Sequence, residues 1–321
     1  MSELDRLVRM AGRAPSAHNT QPWRVAVDGD VVRLDADPER MLPASDPDGR
    51  DLRLALGAWI EVFAIGAHAE GREVDVRRVG DVFELRLLDG APHDEFTPDE
   101  VRARGVYRGR LAPQLGVFDD AELPPGLRLL AVDDRVFTPL ARVSGADTFA
   151  HRDLAAELLH WLRLTPADPR WDRDGLTAET LLIAPPLARA AAILLSRARP
   201  AVLAPVALGA RIAGRGSLKP RRRVKPDAPT HHVLIAKHPS TGSGTDGVAA
   251  GRALLRLWLH AQRRGVRVAP HSEVIDCPRT HAALRDALCL PDDARALAVF
   301  SAGRPLGDVP RSARVTDAPV G

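Results

Sequence analysis

Two stretches of this 321-residue chain constrain its fold more than any others. Gly57-AWIEVFAIGAHAE-Gly71 and Gly251-RALLRLWLHAQRR-Gly265 each place two glycines fourteen positions apart, with Ala67 and Ala261 at the same offset. Each follows a loop containing Asp and Gly and precedes a Val-rich segment. A glycine at the front of a helix permits close packing, and one at its end suits a left-handed C-cap. The first helix carries Leu52, Leu56, Trp59, Ile60, Phe63 and Ile65. Apolar on most sides, it reads as a central, buried helix. The spacing points to an internal duplication, with chance the alternative in a chain rich in Ala, Leu and Gly. Duplication means two similar halves facing each other across long central helices, in keeping with a length of about two domains.

The remaining pattern fills in these halves, expected at residues 1–95 and 96–321. A helix over 2–12 opens the chain, capped by Ser2, with Leu4, Leu7, Val8 and Ala11 on one face. Pro15 ends it. A hairpin pairs Trp23–Val27 with Val31–Ala36 around Asp28-Gly29-Asp30. The central helix runs from about 51 to 70, and Val82–Leu88 alternates as a strand. The second half opens with a short helix near 98–104 and has an amphipathic helix over 147–163. A buried strand at 231–238, a flexible loop at 240–247 and a helix at 248–264 follow. The segment 266–275, a capped helix at 280–288 and a strand at 296–301 complete the pattern.

Composition narrows the class. With 45% hydrophobic and 27% charged residues, the chain is neither disordered, collagen-like nor a disulfide scaffold. A net charge of +3 is small for this size, so no nucleic-acid partner is expected. Cys277 and Cys289 form no CxxC pair and read as reduced thiols, and no apolar run with a cleavage site opens the chain. A cytoplasmic protein is expected. One insert, 181–226, stands apart: an apolar part broken by Arg189, Arg197, Arg199 and Pro200, then RGSLKPRRRVKP. Its longest uncharged stretch, 200–210, is too short to span a bilayer. Three readings stay open: an amphipathic lid over a site, a weak membrane-surface contact, or two short core helices with a solvated basic loop.

Motifs for phosphate loops, zinc proteases and serine hydrolases are absent from the sequence. His231 and His232 are adjacent on a strand and point to opposite faces; His151 and His160 are nine apart on the expected helix and diverge. No metal site and no catalytic acid or base is therefore assigned. What stands out is Arg13-Ala-Pro-Ser-Ala-His-Asn-Thr-Gln-Pro-Trp23-Arg24. Ser16, His18, Asn19 and Gln21 crowd donors and acceptors between two prolines, a setting that can read a polar ligand. The plainer reading is a helix-to-strand connection in which Asn19 and Gln21 satisfy local backbone groups.

APSAHNTQPWRV resembles the N-terminal signature of the nitroreductase-fold flavoproteins. With the DPDGRDLRLALGA segment it is similar to their Acg-type branch, over about residues 5–306. The resemblance implies an α+β nitroreductase-like fold with mixed sheets, in which two pseudo-symmetric halves hold FMN at their interface. Carried over residue by residue, it gives Pro15, Ser16, Ala17, His18, Asn19 and Gln21 from the first half. The family's Arg-x-x-x-Arg motif, which holds the FMN phosphate, is matched by Arg104-Gly-Val-Tyr-Arg108, with Arg110 nearby. Gly105 departs from the usual Ser or Thr. Val268-Ala-Pro-His-Ser-Glu273 resembles the loop that passes the flavin ring, giving Pro270, His271, Ser272 and Glu273. Arg304 matches a basic residue that reaches the phosphate. The resemblance implies an FMN-dependent oxidoreductase, taking hydride from NAD(P)H or another donor to a small-molecule acceptor. An FMN-sequestering protein with little turnover, its site covered by the insert, is the alternative. One flavin site per chain, in a monomer or homodimer, is expected.

Overall fold

The computed structural model describes residues 2–90, 92–197, 199–221, 227–237 and 245–315. Helix α1 (Glu3–Ala11) begins in a capping box: Ser2 Oγ accepts from the Asp5 backbone N–H at 3.0 Å, and Asp5 accepts in return from Ser2 at 2.9 Å. Its apolar face buries Leu7 and Met10. Strands β1 (Trp23–Asp28) and β2 (Val31–Ala36) form the expected hairpin, with Gly29 left-handed at its turn. Helix α2 (Arg50–Ala69) follows, then β3 (Arg72–Val79) and β4 (Val82–Asp89). These strands make a four-stranded antiparallel sheet in the order β1-β2-β4-β3. Every residue of α2 from Leu54 to Ala67 is buried, so the central helix is as apolar in its surroundings as in its sequence.

The second half adds α3 (Pro98–Ala103), β5 (Leu111–Ala112), β6 (Leu127–Val132), α4 (Asp134–Ala150), α5 (Arg152–His160), β7 (Leu162–Arg163) and β8 (Leu176–Thr177). Helices α6 (Pro185–Arg197) and α7 (Arg199–Gly214) form the insert. Strand β9 (Thr230–Lys237), helix α8 (Thr245–Arg263), β10 (Arg267–Pro270), α9 (Glu273–Asp276), α10 (Pro278–Ala287) and β11 (Ala294–Pro305) complete the chain. The second sheet runs β10-β11-β9-β6, with β5 paired to β11, all antiparallel. Among the described residues, parallel pairing is confined to β7 with β8 and to the bridge between Val106 and Val268. The architecture is α+β, two sheets joined through a central helix pair.

The repeated glycines account for that pair. A Cβ on Gly57 would lie 2.0 Å from the Val248 carbonyl oxygen, and one on Gly251 would lie 2.2 Å from that of Leu54. Only glycine lets the two backbones approach so closely. Gly71 and Gly265 both adopt left-handed φ, 76° and 71°, as helix-ending glycines do.

Three expectations change. The helix over 147–163 is two helices: His151 is extended, so α4 ends at Ala150 and α5 begins at Arg152, and β7 takes Leu162. Of the loop at 240–247, residues 245–247 are already helix, and 240–244 lie outside the described residues. The insert does not supply core helices. Leu187, Ile193, Leu194, Val206, Leu208 and Ile212 are exposed, and α7 packs against α4 chiefly through small residues such as Ala210. Residues 222–226 of its basic end lie outside the described residues. Both cysteines are free thiols, Cys277 buried and Cys289 exposed. Among the described residues one helix, α2, is long and apolar enough to cross a membrane, and 78% of that window is buried as core.

Candidate functional site

A cavity of about 270 Å³ opens where the halves meet. That is close to the lower end of the range for small-molecule sites, roughly 300–1,000 Å³. Its floor comes from the helix pair. Asp51, Leu54, Ala55 and Ala58 of α2, and Gly251, Leu254, Leu255 and Trp258 of α8, line it at one-turn spacing. The glycine contact thus sets the width of the floor as well as the packing of the core.

The N-terminal loop forms one wall, with Pro15, Ser16, Ala17, His18 and Asn19 lining the cavity. His18, Asn19 and Gln21 all have left-handed φ, 48°, 55° and 53°. Non-glycine residues hold such angles only where surrounding bonds over-determine them. Here Asn19 Nδ2 donates to the carbonyls of Gly175 (3.1 Å) and Ala313 (3.0 Å), and its Oδ1 accepts from Arg314 (2.9 Å). Gln21 Nε2 donates to Arg173 O at 2.8 Å, its Oε1 accepts from the Val315 N–H at 3.0 Å, and its own N–H donates to Ser16 Oγ at 2.9 Å. Gln21 is buried and does not line the cavity. Its amide shapes the loop, and the amide of Asn19 is spent on the protein as well. His18 differs: its Nδ1 is buried with no hydrogen-bond partner, and burial holds its pKa below the ordinary value, so it is neutral at pH 7.

The opposite wall carries the arginines. Residues 104–108 run extended beside β10, held by the Tyr107 N–H donating to Val268 O at 3.0 Å. Alternation along this extended segment turns Arg104, Val106 and Arg108 to the cavity, while Tyr107 packs with Leu111, Ala269 and Val309. The four-residue spacing of the two arginines therefore puts both on one face. Arg104 Nη2 donates to Arg13 O at 3.1 Å, but its Nε is buried without a partner. Burial, with the charge of Arg13 nearby, pushes its pKa down to about 10. Among the described residues neither Arg104 nor Arg108 makes an ion pair; Glu273 favours the charge of Arg108 from a distance. The cavity therefore offers a wall with two arginines that, among the described residues, make no ion pair.

Pro270, Ser272, Glu273 and Asp276 line the third side. Arg50 bridges two acids here, bonding Asp51 (Nε, 2.9 Å) and Asp276 (Nη2, 2.8 Å). One guanidinium cannot fully compensate two carboxylates. Burial pushes Asp276 up to about 7 against the pull of Arg50. Asp276, Ser45, Asp147 and Leu154 also line a neighbouring, larger chamber of about 660 Å³.

Three further residues expected at the site lie away from the cavity lining. Arg110 is exposed and pairs with Asp227 at 3.4 Å. Arg304 is exposed on β11, where its Nε donates to Gln114 Oε1 at 2.8 Å. His271 sits behind the wall, between Ser301 and Glu273. The insert, as described, does not line the cavity either; α7 lies on the side of α4, whose Ser144, Asp147 and Thr148 do. The sequence reading missed Asp51, Trp258, Asp276, Ser312 and Arg314, all in the lining. Trp258 was within reach, since it lies seven residues from Gly251 on the same helix face. Arg314 lies beyond the stretch that carried the resemblance.

No protein-family model matches the chain. Fold and cavity define an α+β protein with a cavity floored by its central helix pair. A curated Mycobacterium tuberculosis protein named "Putative NAD(P)H nitroreductase acg" is 38% identical over 93 residues, 28% of this chain and 28% of that protein. Another from that organism, "Putative NAD(P)H nitroreductase Rv3131", is 37% identical over 94 residues, 29% of this chain and 27% of that protein. The resemblance to the Acg-type nitroreductase-like proteins is borne out over this stretch. Among solved structures, an FMN-bound nitroreductase from Bacteroides fragilis covers 70% of this chain at 14% identity, with 96% of that chain aligned and a TM-score of 0.37.

Proposed function

We propose that the chain is an FMN-dependent oxidoreductase of the nitroreductase type, with the flavin in the cavity between its halves. Bound there, FMN supplies hydride chemistry at its ring, from NAD(P)H to a small-molecule acceptor. The observation that carries this reading is Arg104, a cation whose buried Nε has no partner among the described residues, with Arg108 beside it in the lining. A phosphate dianion matches two such guanidinium groups. The apolar floor of Leu54, Leu254 and Trp258 suits a flat ring system, and the buried Trp258 Nε1–H, without a partner, offers it a donor. Pro15–Asn19, Pro270, Ser272 and Glu273 border the same space. Titrating the purified chain with FMN and then NADPH tests the reading. Saturable binding at one FMN per chain, followed by bleaching of the flavin band, is expected; absence of FMN binding overturns it.

One observation favours sequestration over turnover. The C-terminal segment 312–315 straps the N-terminal loop through Asn19 and Gln21, and Ser312 and Arg314 line the cavity. A sequestering protein binds FMN but shows no steady-state NAD(P)H oxidation with nitro or quinone acceptors. Removing residues 312–321 then releases activity.

A further inference from the structure

Behind the cavity wall lies a chain of side chains that the flavin reading leaves unused. Glu273, in the lining, has its Oε1 3.0 Å from His271 Nδ1. His271 Nε2 lies 3.0 Å from Ser301 Oγ, and Ser301 Oγ lies 2.9 Å from His231 Nδ1. His231 Nε2 lies 3.3 Å from Asp134 Oδ1, which also accepts from Thr138 Oγ1 at 2.7 Å. Phe137 stacks on the His231 ring at 3.8 Å and meets the His271 ring edge-on at 5.0 Å, fixing both planes. Ser301 and His231 are buried.

Counting protons along this chain gives a definite result. Ser301 has a single O–H for two imidazole nitrogens, so one of those nitrogens must itself carry a proton toward the hydroxyl oxygen. If that nitrogen is His271 Nε2, His271 Nδ1 faces Glu273, and their 3.0 Å contact needs a proton on Glu273 or a second one on His271. If it is His231 Nδ1, the same need moves to Asp134. With both carboxylates ionised and both imidazoles neutral, one of these contacts has no proton to share. We propose that Asp134, His231, Ser301, His271 and Glu273 form a relay that holds one excess proton and presents it at the cavity through Glu273.

The surroundings choose the end at which it rests. Asp134 stands in the first turn of the seventeen-residue helix α4. Burial drives His231 to a pKa of about 4, against the pull of Asp134, so His231 stays neutral with its proton on Nε2. The excess proton then sits on the His271–Glu273 side. His18, Arg108 and Asp276 face Glu273 from the N-terminal loop, the arginine segment and α9. His271 faces it from the relay, and Asp133 is the further charge near His231.

Its use rests on the oxidoreductase reading above, although its existence does not. A nitro or quinone acceptor that takes a hydride equivalent in the cavity gains a negative charge and needs one proton. Glu273 gives that proton to the acceptor oxygen, which leaves both carboxylates ionised, both imidazoles neutral and one relay contact without a shared proton. Uptake of one proton from water restores it. No electrons move through the relay.

The test counts protons on histidine-labelled full-length protein by long-range ¹H–¹⁵N correlation spectra against pH, without added flavin. His231 is expected to keep its proton on Nε2, while His271 loses one in a single step as pH rises. Glu273→Gln, whose amide can donate to Nδ1 without any excess proton, is expected to abolish that step and fix His271 as the Nε2–H form. Ser301→Ala is expected to uncouple the two rings. A His231 protonated on Nδ1 at neutral pH, or a His271 step unchanged in Glu273→Gln, overturns the proposal. With NADPH and saturating FMN present, Glu273→Gln is expected to slow acceptor reduction about 100-fold. Failure to bind FMN at all would count against the oxidoreductase reading alone.

Discussion

The halves meet along two seams of opposite character. At the crossing of α2 and α8 the buried charge is answered: Gly57 and Gly251 bring the backbones together, and the buried Glu61 accepts from Arg252 and Arg256, each at 2.6 Å. Arg256 further reaches Asp94 and Glu95. At the cavity wall, Arg104 and Arg108 face the cavity with no ion pair among the described residues, and His18 and Trp258 each bury a ring nitrogen with no partner among those residues. One chain thus treats the same residue type in two ways. Where arginine joins the halves it is neutralised in place; at the cavity wall Arg104 and Arg108 make no ion pair among the described residues.

That contrast predicts opposite responses to substitution. The largest effect is expected on the closed seam. Gly251→Val puts side-chain atoms where the Leu54 carbonyl already stands, and should cost more than about 4 kcal/mol, read as loss of cooperative unfolding or of soluble protein. Glu61→Ala should cost about 2 kcal/mol in urea denaturation, less than a fully buried pair because Arg252 and Arg256 reach water. On the open seam the sign reverses. Arg104→Met removes a half-buried charge that has no counter-ion, and should leave stability unchanged or raise it by about 1 kcal/mol. A loss comparable to that of Glu61→Ala would show that Arg104 is structural, and the contrast would fail.

The smallest effect is a pH dependence with two opposing parts. His231, with a folded pKa of about 4 against an ordinary 6.5, binds fewer protons folded than unfolded between those values, so its contribution is lost as pH falls through this window. Asp276, raised to about 7 from 3.8, binds more protons folded, so its contribution is lost as pH rises through its own window. The two oppose each other between pH 4 and 6.5. Asp276→Asn should therefore make the urea midpoint fall more steeply on acidification than it does in the wild type; an unchanged slope would remove Asp276 from this role.

Much of both seams was legible in the residues. The glycine spacing marked the helix crossing because a backbone contact tolerates no side chain, and the resemblance of Arg104-Gly-Val-Tyr-Arg108 to the family's arginine motif marked the wall. Local chemistry also showed Ser2 as a cap and Gly71 and Gly265 as helix ends. Long-range ties were not legible. Gln21 reads as a ligand group until Arg173 and Val315, far away in sequence, take both ends of its amide. Arg304 and Arg110 look like Arg104 in sequence, and only packing shows that they point to solvent. The break at His151 did leave a trace in the hydrophobic period: Phe149 and Leu154 are five apart, off the four-residue spacing of Leu154, Leu158 and Leu162. Pro139 inside α4 hid the first half of that helix, where packing of Phe137 and Leu140 overrides its low propensity.

The central claim is that the open seam is completed by the phosphate of FMN, and equilibrium titration of FMN into wild type and Arg104→Met, followed by flavin fluorescence, tests it most directly. The expected result is saturable binding at one FMN per chain, weakened about 10- to 100-fold in the variant while its urea midpoint holds. Binding of equal strength in both proteins, or none in the wild type, would contradict it.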